Sequence, residues 1–289
     1  MIVKRCLQSI ARVLAICCCV LTPAYAASPT SPQIGVELYS VREDLAKDFD
    51  GTLKQLAAMG FKGVEFAGVF GPYADNPQAL KKLLQSLGLK APAAHVKFEK
   101  LSAENFAATL RFYKALGCTY LIIPKDTRAA TLDGAKQVAQ DLTTLEKKLQ
   151  PLDLHTGYHN HKEEMLDQNG TTSWDVIATN TAASVVLEQD VAWTKMAQQN
   201  PVEFVKKYPG RMFVTHYKSA VPGADSTENA IIGDDTTDWP ALITANRNQG
   251  GTKWLLIEQE VYPNGLTPLQ SVAASLHGLQ KILAEMRLK

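Results

Sequence analysis

The chain has 289 residues, 30 Lys and Arg against 29 Asp and Glu, and 46% hydrophobic residues. That is enough for one large core or two small ones, and too apolar for a disordered chain. A net charge of +1 gives no sign of the basic face that a nucleic-acid binder needs.

The first segment reads as an address. Lys4, Arg5 and Arg12 precede the apolar residues 13–21 (VLAICCCVL), and Ala24-Tyr25-Ala26 supplies small residues where a signal peptidase cuts. Nine apolar residues are too few to span a bilayer, which takes roughly 20. Residues 1–26 are therefore expected to be a cleaved secretory signal, and residues 27–33 a flexible lead-in. Cleavage leaves 27 basic against 29 acidic residues, a formal charge of −2, and Cys118 as the one remaining cysteine. No intrachain disulfide is then available, so stability has to come from the apolar core. The expected location is secreted, in the periplasm, with no membrane contact after cleavage.

From Ile34 onward, short apolar runs alternate with helical stretches. Strands are expected to begin near Ile34, Val64, Ala93, Tyr120, Thr156, Ser184, Met212 and Trp254, at intervals of 27 to 42 residues. Each interval holds a strand, a crossover helix and two loops, which favours a parallel sheet. Between them, Leu53, Leu56 and Met59 form a helical stripe ending at Gly60, and Leu80, Leu84 and Leu87 repeat it before Gly88. Phe106, Leu110, Tyr113 and Leu116 do the same before Gly117. Val138, Leu142, Leu145 and Leu149 are stopped by Pro151; Pro201 opens another helix, and Pro268 opens the last, running to about Met286. Eight such units match an α/β fold of the (β/α)8 TIM-barrel type, occupying residues 34–289 as one domain. A doubly wound sheet would carry a Gly-rich turn after its first strand, and Leu38-Tyr39-Ser40-Val41-Arg42 has none.

In such a barrel the chemistry lies at the C-terminal strand ends. Glu37, Glu65 and His95 end the first three strands. Tyr158-His159-Asn160-His161 ends the fifth, with Glu163 and Glu164 beyond it; Leu187-Glu188-Gln189-Asp190 ends the sixth, His216-Tyr217-Lys218 the seventh, and Glu258-Gln259-Glu260 the eighth. A strand alternates its faces, so His159 and His161 share one, as do Glu258 and Glu260. Converging carboxylates and imidazoles need a compensating charge, and a divalent cation with mixed N and O ligands supplies it. Glu37 and Glu65 are open to a second reading as salt-bridged structural residues. His155, at the start of its strand, and His277, on the last helix, are set aside. Cys118 reads as a buried small hydrophobe, and there is no G-x-S-x-G, P-loop or paired C-x-x-C.

With these strand ends the chain resembles the sugar phosphate isomerase/epimerase superfamily, the xylose isomerase-like (AP endonuclease family 2) TIM barrels. The likeness is carried by IGVELYSVREDLAKDFDGTLKQLAAMGFKGVEFAGVFG, GYHNH, LEQDVAWTKMAQQNPVEFVKKYPGR, THYK and LLIEQE, which run through nearly all of the expected mature chain. The resemblance implies one divalent metal ion, Mn, Zn, Co, Mg or Fe. Asp190 looks like the family aspartate, His216 its histidine and Glu258 the glutamate of the last strand. Family epimerases carry a further glutamate at the end of strand five, where this chain reads His159-Asn160-His161. Glu164, reaching back from the next loop, is the first choice for that ligand and His159 the second. With a histidine there, the two-glutamate epimerisation of the family gives way to Glu258 as single base, with His159 or His161 as acid. Glu37, Glu65, His95, Trp193 and Lys218 are expected to contact substrate. The expected substrate is a small, non-phosphorylated sugar or keto-sugar, isomerised or epimerised. The alternatives are a keto-glycoside lyase or hydratase with the same site and a sugar-binding barrel without catalysis. DNA is excluded as a partner by the mature charge.

Overall fold

The computed structural model describes residues 31–219 and 231–287, so the expected signal at residues 1–26 lies outside the described residues, as does part of the lead-in. Strands β1 (Gln33–Glu37), β2 (Gly63–Glu65), β3 (Ala93–His95), β4 (Tyr120–Ile123), β5 (His155–His159), β6 (Val186–Asp190), β7 (Val214–Tyr217) and β8 (Trp254–Ile257) all begin within two residues of the expected starts. They pair in parallel in the order β2-β1-β8-β7-β6-β5-β4-β3. Two isolated parallel bridges, Gly63 to Lys90 and Phe66 to Ala94, link β2 to β3 and nearly close the barrel.

The helices follow the apolar stripes. Phe49–Met59 ends on Gly60 at φ 110° and Phe106–Leu116 on Gly117 at φ 88°, left-handed conformations that a side chain would strain. Leu132–Leu149 stops just before a single 3-10 turn carrying Pro151, and Pro201–Lys207 and Pro268–Arg287 open on their prolines. Val64, Leu121, Ile123, Leu187, Leu255 and Ile257 face outward, buried in one continuous core with Leu53, Leu80, Leu142 and Leu279 of the surrounding helices. Burial of that interface is the main favourable term for the fold.

The inward set has the opposite parity and forms two layers. Ala93, Ile122, Val186, Val214, Trp254 and Leu256 fill the lower one, and Tyr120 stacks on Phe213 at 3.9 Å between ring centroids. Glycines on the narrow inner wall make the room: a Cβ at Gly63 would lie 2.5 Å from the Trp254 ring, and one at Gly157 2.7 Å from Ile122 Cδ1. Two residues beyond Gly35, Gly63, Ala93, Gly157, Val186, Val214 and Leu256 the inward positions become ionisable, β4 with Pro124 being the exception. The strand period of two thus stacks a polar layer directly on an apolar plug.

Candidate active site

Glu37, Glu65, His95, His159, Glu188, Asp190, His216 and Glu258 form this upper layer, all buried except the half-buried His95. His216 is its hub. Its Nε2 lies 2.7 Å from Glu65 Oε2 and its Nδ1 3.1 Å from Glu258 Oε2. Burial disfavours a charged imidazole, yet Glu188, Glu258 and Glu65 outweigh it and hold the His216 pKa well above the ordinary value. His95 Nε2 pairs with Glu188 Oε2 at 2.8 Å. His159 Nδ1 stands 3.4 Å from the same oxygen without making a hydrogen bond. Burial, with His216 and His95 adding to it, pushes the His159 pKa well down, so that ring is neutral.

Asp190 ends β6 and caps the following helix Val191–Met196, its Oδ1 accepting the Trp193 N–H at 2.8 Å. Asn160 staples this strand end to β5: its Oδ1 accepts the Asp190 N–H at 2.8 Å, which sets Asp190 beside His159. Lys218 reaches in just after β7, with Nζ 2.6 Å from Glu260, 3.3 Å from Glu258 and 3.6 Å from Asp190. Its ammonium lies 4.5 Å from the centre of the Trp193 ring, a cation–π contact that fixes the long side chain.

Burial pushes the Glu188 pKa up to about 7 and that of Asp190 up to about 8, and raises Glu37 and Glu65 as well. Glu37 Oε2, Glu65 Oε1, His159 Nδ1, His161 Nδ1, Glu188 Oε1 and Asp190 Oδ2 are buried without a hydrogen-bond partner. Leaving such atoms bare costs roughly 1–3 kcal/mol each. One donor atom from each of His159, Asp190, His216 and Glu258 lies within 4.8 Å of the others, and the same holds for His95, His159, Glu188 and His216. Neutral His159, together with His216 and crowded carboxyls that give up their protons to a cation, fits a divalent metal ion.

Glu164 is not among these converging groups. Its Oε1 accepts the Tyr158 O–H at 2.9 Å and its Oε2 the His161 N–H at 2.8 Å, closing a capping box on the short helix Lys162–Met165. That helix turns the glutamate back onto its own N-terminus, and at the end of β5 it is a His159 donor atom that lies among the converging groups. A cavity of about 930 Å³ opens above the polar layer, lined by His95, His159, His161 and Glu258 among others. Of the five residues expected to touch substrate, His95 alone lines it. Glu37 and Glu65 are fully buried around His216, while Trp193 and Lys218 brace each other beside Glu258 and Asp190. Glu188 and Asn160 were not singled out from the sequence. Glu188 had a legible signal, since it precedes Asp190 by two residues and so shares its face.

The fold and the mouth define a (β/α)8 barrel with a polar, cation-type cluster at its C-terminal end. The family model described as xylose isomerase-like TIM barrel matches residues 53–282, and the chain belongs to that family. It is 24% identical over 268 residues to an inosose dehydratase from Clostridium botulinum (strain Eklund 17B / Type B), covering 78% of this chain and 88% of the relative. A crystal structure of a sugar phosphate isomerase/epimerase from Parabacteroides distasonis ATCC 8503 superposes with a TM-score of 0.73 at 24% identity, over 90% of this chain and 97% of the other. The structure of IOLI protein with a bound zinc atom gives a TM-score of 0.67 at 15% identity, over 88% and 99%.

Proposed function

We propose that this chain is a divalent-metal-dependent isomerase or epimerase of a non-phosphorylated sugar or keto-sugar, removing a proton from the carbon beside a carbonyl, and that it works in the periplasm. One observation carries the reading: donor atoms of His159, Asp190, His216 and Glu258 converge within 4.8 Å, with those of Asp190 and His159 left bare, at the floor of an open cavity. The names of the relatives, sugar isomerase/epimerase and dehydratase, support the reaction class. The order of charge, apolar run and A-x-A in residues 1–26 supports the location. No arginine lines the cavity, although Lys97, Lys100 and Lys125 do, all exposed.

A cation at this group would polarise the carbonyl and its neighbouring hydroxyl. Glu258 lines the cavity and is the base. Burial raises its pKa, but Lys218 and His216 more than reverse this and hold it well below the ordinary value, so the carboxylate stands ionised. His161 also lines the cavity. Burial, with Lys125 and Lys218 adding to it, pushes its pKa down to about 4. Neutral at pH 7, it suits hydrogen bonding to a sugar hydroxyl better than proton donation. His159, neutral as well, suits ligation.

A second reading follows from that neutrality. At the end of β5 stands an imidazole, His159, rather than a carboxylate, which favours single-base chemistry. After the same proton removal, loss of a hydroxyl or alkoxide from the next carbon would be elimination, the reaction type in the name of the inosose dehydratase. Glu258→Gln keeps the shape and cannot accept the proton, so turnover should fall by at least roughly 10²-fold while sugar binding persists. Turnover in D2O should place deuterium at a substrate carbon, and the mass of the product separates an isomer from a dehydrated sugar. Full activity of Glu258→Gln would sink the assignment, and binding without any turnover would leave the non-catalytic barrel.

A further inference from the structure

The cavity does not end at the ionisable cluster. From His159, His161 and Glu258 it continues to a wall made by Phe70, Ala74, Ala108, Phe112 and Tyr113. Asn105, Ala108, Thr109 and Phe112 recur at steps of three, one and three, so one face of the helix Phe106–Leu116 and its N-cap forms this side. Phe70 packs on the fully buried Phe66 with ring centroids 5.2 Å apart and on Phe112 at 4.5 Å. Their backs are thus locked into the core, while Phe70 and Phe112 remain half-buried toward the cavity. At about 930 Å³ the space lies near the top of the ~300–1,000 Å³ range that encloses drug-sized ligands, far beyond one sugar ring. The two ends also differ in chemistry. Hydroxyl-binding and ionisable groups gather at the strand ends, whereas the far wall offers aromatic faces and small side chains, its Asn105 and Thr109 already donating to the Glu99 and Lys100 carbonyls.

Building on the sugar-active reading above, we infer that the substrate is an aryl keto-glycoside, whose planar aromatic aglycone lies against Phe70 and Phe112 while its keto-sugar meets Glu258 and His161. Aromatic rings gain from offset or edge contact with one another beyond their buried area, and a sugar ring, needing partners for its hydroxyls, would waste this wall. Small side chains at Ala74 and Ala108 leave the thickness for the ring.

Calorimetric binding of 4-nitrophenyl β-D-glucoside and methyl β-D-glucoside to the zinc-loaded full chain tests the subsite. Wild type should bind the aryl compound at least ten-fold more tightly. Ala108→Trp, a change at an exposed helix position that fills the wall, should bring the ratio close to one, and Phe112→Ala should lower it several-fold. Equal affinities in wild type, no binding of either compound, or a ratio untouched by both variants would overturn the inference. The sugar-active reading falls by a different result. If the aryl preference holds and is lost in Ala108→Trp, but no sugar in a keto-sugar and glycoside panel exchanges deuterium or forms product, the subsite stands and the proposed chemistry does not.

Discussion

Two histidines four residues apart on β5 separate the two ends of this barrel. His155, at the lower end, holds Glu146 Oε1 at 2.9 Å through Nδ1, and the other carboxylate oxygen accepts the Thr156 N–H at 2.8 Å. Every oxygen of that buried glutamate is paired. His159, at the mouth, approaches Glu188 at 3.4 Å without a hydrogen bond, and Glu188 Oε1 has no hydrogen-bond partner at all. The same residue types on the same strand therefore make a closed pair in one place and an open one in the other. Around His155 the polar contacts are complete; at the mouth His159 Nδ1 and Glu188 Oε1 stay bare although both are buried.

Breaking this contrast should have its largest effect at the mouth. His159→Ala should weaken zinc or manganese binding by more than the ~10–100-fold that loss of an outer partner costs, whereas His155→Ala should leave affinity unchanged. Titration with either ion under competition with a chelator measures both. Chelation should also destabilise wild type and His155→Ala by about 2.7 kcal/mol when metal stands at 100 times its dissociation constant, read as a lower unfolding temperature. Equal affinity of the two variants would erase the distinction between the ends.

The lower end should respond in stability alone. Glu146→Ala leaves the Thr156 N–H and the His155 ring without their partner and should cost about 1–3 kcal/mol in urea unfolding, with metal stoichiometry intact. A changed metal content would mean that the closed pair also shapes the mouth.

The smallest effect should come from Asp175, another completed carboxylate, on the helix Ser173–Asn180. It accepts from Lys207 Nζ at 2.7 Å and from the Tyr208 hydroxyl, and shares a capping box with Thr172. Burial raises its pKa, but Lys207 and Tyr208 prevail and the net shift is downward. A depressed folded pKa contributes stability above the unfolded value of about 3.9 and loses it as pH falls through the folded value. Asp175→Asn should therefore cost about 1 kcal/mol or less at pH 5 to 7, given the exposed lysine, and progressively less as pH falls through the folded value. A difference that persisted unchanged at pH 3 would refute the ionic origin.

Much of the mouth was legible because strand alternation and barrel polarity are local rules. Glu37, Glu65, His95, His159, Asp190, His216 and Glu258 all end inward-facing strands as read, and the eight strand starts fall within two residues. The helix stripes ending at Gly60 and Gly117 were equally readable, since an apolar period and a left-handed glycine need no distant partner. Trp193 and Lys218 lie at the expected end but pack on each other and do not line the cavity, and cation–π bracing between a helix and a loop leaves no mark in either segment.

By itself, then, the sequence determined the fold class, the end of the barrel that carries ionisable groups, and the residues that share each face. Those properties follow from periods of two and 3.6 residues and from the chirality of parallel crossovers. Only the tertiary structure turned Glu164 away from the converging groups and brought Glu188 into them. Both outcomes depend on hydrogen bonds to groups from other segments, Tyr158 and the His161 N–H for Glu164 and His95 for Glu188. A carboxylate goes where its lone pairs are met, and that place exists only once the strands and loops have come together.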